Sequence, residues 1–235
     1  MRPIIKGTWP LKSYSLNRKC VFNDWTRAIP HLKLATGSYC HFCEMKVTNA
    51  LAIEHIKPQT HFPNLKNQWG NFLLICNYCN SQKIATVPQN YRTDYFWPHL
   101  NNTLLAFDSN FTADVIPNTK LTNPVDIDRA NRLIALYGLD KRTSSDGSPD
   151  PRWVERAKAL YLAINRKSEY LSGRATLDAI VDFAVATGFF SVWLKIFDNI
   201  PVVRAALINC PDFKIPINEC FDAALMPVRR SENDL

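Results

Sequence analysis

CHFCEMKVTNALAIEHIKPQTHFPNLKNQWGNFLLICNYCNSQK, residues 40–83, holds two C-x2-C pairs, Cys40/Cys43 and Cys76/Cys79, separated by 32 residues. Four thiolates at this spacing are enough to close a tetrahedral zinc shell and leave no coordination position open. Such a site builds a fold and does no chemistry itself. His41 lies inside the first pair and is not expected to be a ligand.

The residues between the pairs read as a strand, a loop and a returning strand. Leu51-Ala52-Ile53-Glu54-His55-Ile56 alternates and stops at Pro58. An Asn-, Pro- and Gln-rich loop leads to Trp69-Gly70-Asn71-Phe72-Leu73-Leu74-Ile75, which feeds the second pair. Asn77 or Cys79 then opens a helix expected to run through Lys83 to about Thr86, with Pro88 marking its end. Two strands and a helix around one zinc is the predicted local architecture.

A second layer of polar residues sits on that frame: Glu54, His55, Asn71 and Asn80. Hydrolysis of a phosphodiester needs a water, a base to deprotonate it, and a cation to stabilise charge on the phosphoryl and leaving oxygens. Imidazole suits the base because its pKa lies near working pH. Mg²⁺ or Mn²⁺ suits the cation, which takes oxygen ligands from one or two side chains and completes its shell with waters and phosphate. Glu54 and Asn80 are the candidate ligands for it and His55 the candidate base. Lys83, one helical turn past Asn80, and Lys57 are candidates for contact with substrate phosphates.

The runs E-H-I-x-P, N-F-L-L-I-C and C-N-x-x-K resemble the HNH endonucleases, whose ββα-metal fold has the same strand–strand–helix order. The resemblance implies His55 as general base and Asn80 as metal ligand. It makes Asn71 the residue that pins the loop between the strands through backbone hydrogen bonds. Glu54 stands where Asp is more usual, one methylene longer. A second resemblance covers more of the chain. Met1-Arg2-Pro3-Ile4, the early HNH module, and Asp126–Ile134 with Gly138-Leu139-Asp140 are similar to the HNH nuclease subunit (PtuB) of Septu-type antiphage systems, also found with certain retrons. That resemblance implies an effector nuclease in a hetero-oligomer with an ABC-type ATPase partner (PtuA).

Charge is distributed unevenly. The chain has 235 residues and a formal net charge of +7. Residues 1–39 carry seven basic side chains against Asp24 alone, and residues 40–83 add Lys46, Lys57, Lys66 and Lys83 against Glu44 and Glu54. The remainder, with 17 basic and 18 acidic groups, is close to neutral. A positive excess beside the Cys/His/Asn cluster fits a polyanionic partner, nucleic acid and DNA first. A near-neutral half without a phosphate-binding loop suits a protein partner.

The expected class is α+β and mainly helical: a small ββα-metal HNH module with structural zinc, plus a helical C-terminal region. Residues 1–36 read as a basic N-terminal arm and a short helix from Asn23 that Pro30 kinks or shortens. Residues 37–90 are the zinc-bound module. Residues 91–123 are a connector with a hairpin turning at Ser109-Asn110. Residues 124–235 are a helical, partner-binding domain, with later helices near 175–187, 189–199, 202–209 and 218–225. Cys20, Cys210 and Cys220 stand among apolar neighbours and read as small buried side chains. Their irregular spacing argues against a disulfide framework and for a reducing compartment. With no leader-like start and no sufficiently apolar run, the expectation is a soluble cytoplasmic protein without a membrane partner.

Two other readings compete. A zinc-ribbon-like interaction module would recruit nucleic acid or protein without chemistry, and cleavage with and without divalent metal discriminates it. A homing or restriction enzyme with its own sequence specificity would need base-reading elements, and no helix-turn-helix or repeated finger is discernible in the sequence.

Overall fold

The computed structural model describes residues 1–12, 15–83 and 90–230. Strands β1 (Leu11–Lys12) and β2 (Ser15–Lys19) make an antiparallel ribbon. Asp24 then caps a 3-10 turn, Trp25–Ala28, by accepting from the Thr26 amide, and α1 (Ile29–Thr36) follows directly. Pro30 falls in the first turn of α1, where no intrahelical donor is needed. The proline expected to shorten this helix instead starts it.

At the module's centre, β3 (Leu51–His55) and β4 (Phe72–Cys76) pair antiparallel, with Ile53 opposite Leu74, Glu54 opposite Leu73 and His55 opposite Phe72. All five residues of β4 are buried, so the pair is covered on both faces. One face packs Ile53, Phe72 and Leu74 against Phe22, Ala28, Leu32 and Trp69. The other packs Leu73 and Ile75 into the cluster that holds all four knuckle cysteines. Because side chains alternate along a strand, the neighbours Glu54 and His55 point to opposite faces.

Helix α2 (Asn77–Gln82) is capped by a zinc-type cysteine: the Cys76 sulfur accepts from the Cys79 amide at 3.4 Å. It ends at Gln82, and Lys83 is already extended (φ −64°, ψ 111°). The part of this helix expected beyond Lys83, with Pro88, lies outside the described residues.

The connector differs from expectation in register. After α3 (Tyr91–Asp94) comes α4 (Thr103–Ala106), capped by the Asn102 side chain, so of the first hairpin arm expected over 104–108 the first three residues are helical. Strands β5 (Phe107–Ser109) and β6 (Val115–Pro117) form the hairpin. Its turn spans Asn110 to Asp114, because the Asn110 side chain accepts from the amides of both Thr112 and Asp114. An Asx-type turn supplied the reversal that the dipeptide Ser109-Asn110 was expected to make.

Helix α5 (Pro124–Tyr137) has a full set of end signals: Asn123 as cap, Pro124 in the first turn, and Gly138 left-handed after the last (φ 54°, ψ 45°). Helix α6 (Pro151–Leu171) starts the same way, with Asp150 as cap and Pro151 next. Then come α7 (Leu177–Thr187), α8 (Phe190–Ile196), α9 (Pro201–Asn209) and the single turn α10 (Ile217–Cys220). Their apolar faces make a second core around Ile180, Trp193, Phe197, Val203, Leu207 and Phe213. The architecture is mixed α and β: small two-stranded sheets, a four-cysteine cluster, and a helical remainder.

Helix α5 belongs to the module's core as much as to the helical half. Ala130, Leu133, Ile134 and Tyr137 share one cluster with the four cysteines, Phe42 and Trp97. The first residues of the N-terminal arm pack down as well. Ile4 is fully buried, with its amide on the Pro98 carbonyl, and Arg2 is buried against the carbonyls of Phe213 and Thr36. Cys210 and Cys220 are buried as expected, whereas Cys20 is only partly so. Among the described residues no helix is long and apolar enough to cross a membrane.

Candidate metal centre and catalytic cleft

The sulfurs of Cys40, Cys43, Cys76 and Cys79 lie within 4.8 Å of one another and all four residues are buried. Cys43 and Cys76 are 3.7 Å apart, sulfur to sulfur. Zinc–thiolate bonds of about 2.3 Å in a tetrahedron set sulfurs roughly 3.8 Å apart, so the cage fits zinc in chemistry and in size. His41 is committed elsewhere. Its Nδ1 accepts from the Leu74 amide at 3.0 Å, which puts the proton on Nε2, 2.8 Å from Thr36 Oγ1.

One residue of the helical half reaches the cage. Arg152 places Nη1 3.5 Å from the Cys79 sulfur and donates from the same nitrogen to the Tyr137 carbonyl at 2.7 Å. Its Nη2 donates to the Gly138 carbonyl at 2.8 Å and to Asp150 at 2.6 Å. Four thiolates around one Zn²⁺ carry excess negative charge, and a guanidinium beside one of them offsets part of it. The same side chain satisfies the exposed carbonyls at the C-terminal end of α5.

A cleft of about 440 Å³ opens beside β3, lined by Glu54, His55, Asn80, Lys83, Trp25 and Pro58 among others. His55 ends β3, and its Nε2 is 2.8 Å from the Lys66 carbonyl. A carbonyl only accepts, so Nε2 carries the proton and Nδ1 keeps its lone pair. Trp25 and Phe72 hold the imidazole edge-on, with ring centroids 5.6 and 5.4 Å away. Burial lowers the His55 pKa, the Lys83 and Lys66 cations add to this, and the Lys66 carbonyl opposes it. The ring is therefore neutral, and basic at Nδ1.

Asn71 ties down the loop between the strands. Its Oδ1 accepts from the Lys57 amide at 2.7 Å, and its Nδ2 donates to the carbonyls of Lys57 and Leu65 at 3.0 and 3.2 Å. That loop carries Lys66, whose carbonyl orients His55. Asn71 therefore acts on the His55 ring through two backbone segments.

Glu54 is buried on the opposite face, where Tyr137 donates to its Oε1 at 3.1 Å and Lys83 forms an ion pair with the same oxygen. Lys83 also donates to the His55 carbonyl at 2.8 Å. Burial raises the Glu54 pKa, and the Lys83 and Tyr137 contacts pull it back only in part. A carboxylate so placed gains from any further positive charge brought beside it. Asn80 is exposed on α2 at the cleft wall.

The two lysines expected to contact phosphates lie in different places. Lys83 turns inward to Glu54 at the point where the chain leaves α2. Lys57 does not join the cleft of the dyad. It lies on the other side of the strand end, with its ammonium 4.9 Å from the Tyr91 ring centroid. The sequence reading missed Tyr137, Arg152 and Lys66. Tyr137 had only the signal of a helix-ending aromatic before Gly138, which reads as core. Lys66 contributes through its carbonyl, which no side-chain pattern announces.

Two antiparallel strands and a helix closed by four thiolates, with a histidine at the strand end facing an open cleft, define a zinc-structured ββα-metal module. The family model for HNH endonuclease matches residues 38–86, the span of both knuckles, both strands and α2. An HNH domain suggests nuclease activity and implies interaction with nucleic acid. No curated protein matches the chain.

Proposed function

We propose that this chain is a metal-dependent endonuclease that hydrolyses phosphodiester bonds, with DNA as its substrate. The observation that carries this reading is the fixed tautomer of His55: Nε2–H is held by the Lys66 carbonyl at 2.8 Å, and Nδ1 is left as acceptor in a cleft shared with Glu54 and Asn80. His55 takes a proton from the attacking water at Nδ1. The charge that then builds on the imidazole is shared with the Lys66 carbonyl. Asn71 holds that carbonyl in place by fixing the loop at Lys57 and Leu65. Glu54 and Asn80 offer the oxygen donors that Mg²⁺ or Mn²⁺ takes, and such an ion, when bound, supplies charge stabilisation at the phosphoryl and leaving oxygens. Lys83 pairs with the Glu54 carboxylate, opposing the effect of burial, and anchors the strand end at the His55 carbonyl.

In the cell, we assign the protein the role of effector nuclease in an antiphage system, working with an ABC-type ATPase. Support comes from the resemblance of residues 1–4 and 126–140 and from the near-neutral helical half. The exposed Phe111, Tyr161 and Ile164, which line one groove of that half, add an apolar surface for a protein partner.

Plasmid DNA incubated with Mg²⁺, with Mn²⁺ and with chelator, in the presence and absence of the ATPase, tests the reading. The parent cuts only with metal, and His55→Ala loses cutting by a factor of at least about 10² while keeping its fold and zinc content. A His55→Ala protein that cuts like the parent sinks this mechanism. Metal-independent DNA binding without any cutting favours the interaction-module reading.

A further inference from the structure

On the far side of the Ile56–Asn71 loop from the His55 cleft lies a second one, of about 520 Å³. Its wall holds three basic side chains, Lys6, Lys57 and Arg92, of which burial pushes the Lys6 pKa down to about 7. Among the described residues no Asp or Glu lines it. Among the described residues, none of the three takes part in an ion pair. An anion arriving there meets Lys57 and Arg92 with no carboxylate already beside them.

The three are held by separate means. Lys6 donates to the carbonyls of Trp69, Gly70 and Phe72, at 3.1, 2.9 and 2.9 Å. Lys57 sits between the rings of Phe62 and Tyr91, with centroids 5.3 and 4.9 Å from its ammonium. Arg92 is exposed at the rim. His99 adds a buried Nδ1 with no hydrogen-bond partner among the described residues. An unmatched polar nitrogen at the wall of a basic, aromatic-edged cleft is suited to a ligand carrying both a phosphate and polar ring atoms.

Position links the two clefts. Lys57 follows His55 by two residues, so at most about 7 Å of chain separates their Cα atoms. That is roughly two steps of a nucleic-acid strand rising about 3.4 Å each. Asn71 fixes Lys57 at both its amide and its carbonyl, so the spacing is rigid.

We propose that this second cleft binds a nucleotide of the substrate strand flanking the phosphodiester being cut, with the phosphate on Lys57 and Arg92. This rests on the nuclease reading above. The test is binding of a fluorescein-labelled single-stranded DNA 12-mer to full-length His55→Ala protein, followed by anisotropy at several salt concentrations. Adding Arg92→Gln, an exposed position, or Lys57→Gln weakens binding by roughly five- to tenfold and lowers the salt slope by about one. Lys120→Gln, an exposed lysine of the connector, leaves both unchanged. The mononucleotide dAMP competes with the 12-mer, and deoxyadenosine without phosphate does not. Parent-like affinity and slope in both the Arg92 and Lys57 variants would overturn the proposal, even if the parent cuts DNA. If the parent fails to cut with metal and ATPase present but Arg92→Gln still weakens binding, the cleft stands and the nuclease reading falls. An acidic peptide that displaces the 12-mer where dAMP cannot would also overturn the nucleotide assignment.

Discussion

At the scale of single residues, the site depends on who holds the two members of the Glu54-His55 dyad. They point to opposite faces of β3, so each has its own support: Lys66 and Asn71 for the imidazole, Tyr137 and Lys83 for the carboxylate. Tyr137 is stacked on Phe42, with ring centroids 3.8 Å apart, and cannot follow Glu54 if the carboxylate shifts. Tyr137→Phe keeps that stacking and removes only the hydroxyl. The expected result is a loss of about 1–2 kcal/mol in stability and a several-fold higher Mg²⁺ concentration for half-maximal cleavage. A metal titration of cleavage, beside a urea melt, checks both. An unchanged metal midpoint would show that the hydroxyl does not position Glu54. The cysteines and His55 were legible because metal spacing and a strand-end histidine are local patterns. The inward turn of Lys83 was not, since it depends on α2 stopping at Gln82, and the helix was expected to run through Lys83 to about Thr86.

At the scale of elements, the ends of α5 and α6 connect the module to the helical half. Asp150 caps α6 through the Arg152 amide at 2.8 Å and also pairs with the Arg152 guanidinium, whose other nitrogens hold the end of α5 and approach Cys79. Both side chains are buried, so removing one charge strands the other. Asp150→Asn should cost about 3 kcal/mol, roughly 6–12 °C in melting temperature for a chain of this size, read by calorimetry. The pH dependence has a definite sign. Burial pushes the Asp150 carboxyl up, and the hydrogen bonds and charge of Arg152 more than offset it, so its folded pKa lies below the ordinary value. Its stabilisation is therefore present above the unfolded carboxylate pKa of about 3.9 and is lost as pH falls through the lower folded value. Parent and variant should converge in stability at acid pH; a constant gap down to that range would remove Asp150 as the cause. From sequence, Asp150-Pro151 is readable as a helix start and nothing more. The contact with Cys79 joins residues 73 positions apart, which no local pattern encodes.

At the scale of the molecule, the question is whether the zinc module and the helical half are separable. The sequence divides them at about residue 90, by charge and by motif. The packing does not: Leu133 and Tyr137 of α5 lie in the same cluster as all four knuckle cysteines, and Phe189 accepts no role in the module by sequence yet donates its amide to the Glu44 carbonyl in the first knuckle turn. Glu44 in turn accepts from the Ser191 amide and hydroxyl, at 2.9 and 2.5 Å. Zinc binding supplies folding free energy to the elements built on the thiolates, and here those elements include a helix from outside the module. Removing the metal should therefore loosen α5 and the Glu44–Ser191 contact together with β3 and β4. Hydrogen exchange after treatment with a strong chelator and reductant tests this. Protection should fall in residues 51–55, 72–76 and 130–137 in one step, while α9, whose core around Val203 and Leu207 holds no zinc ligand, keeps its protection longer. If α5 stays protected while β3 and β4 exchange freely, the helical half is an independent unit, and the Tyr137 hydroxyl reaches Glu54 only because two separately folded parts happen to meet there.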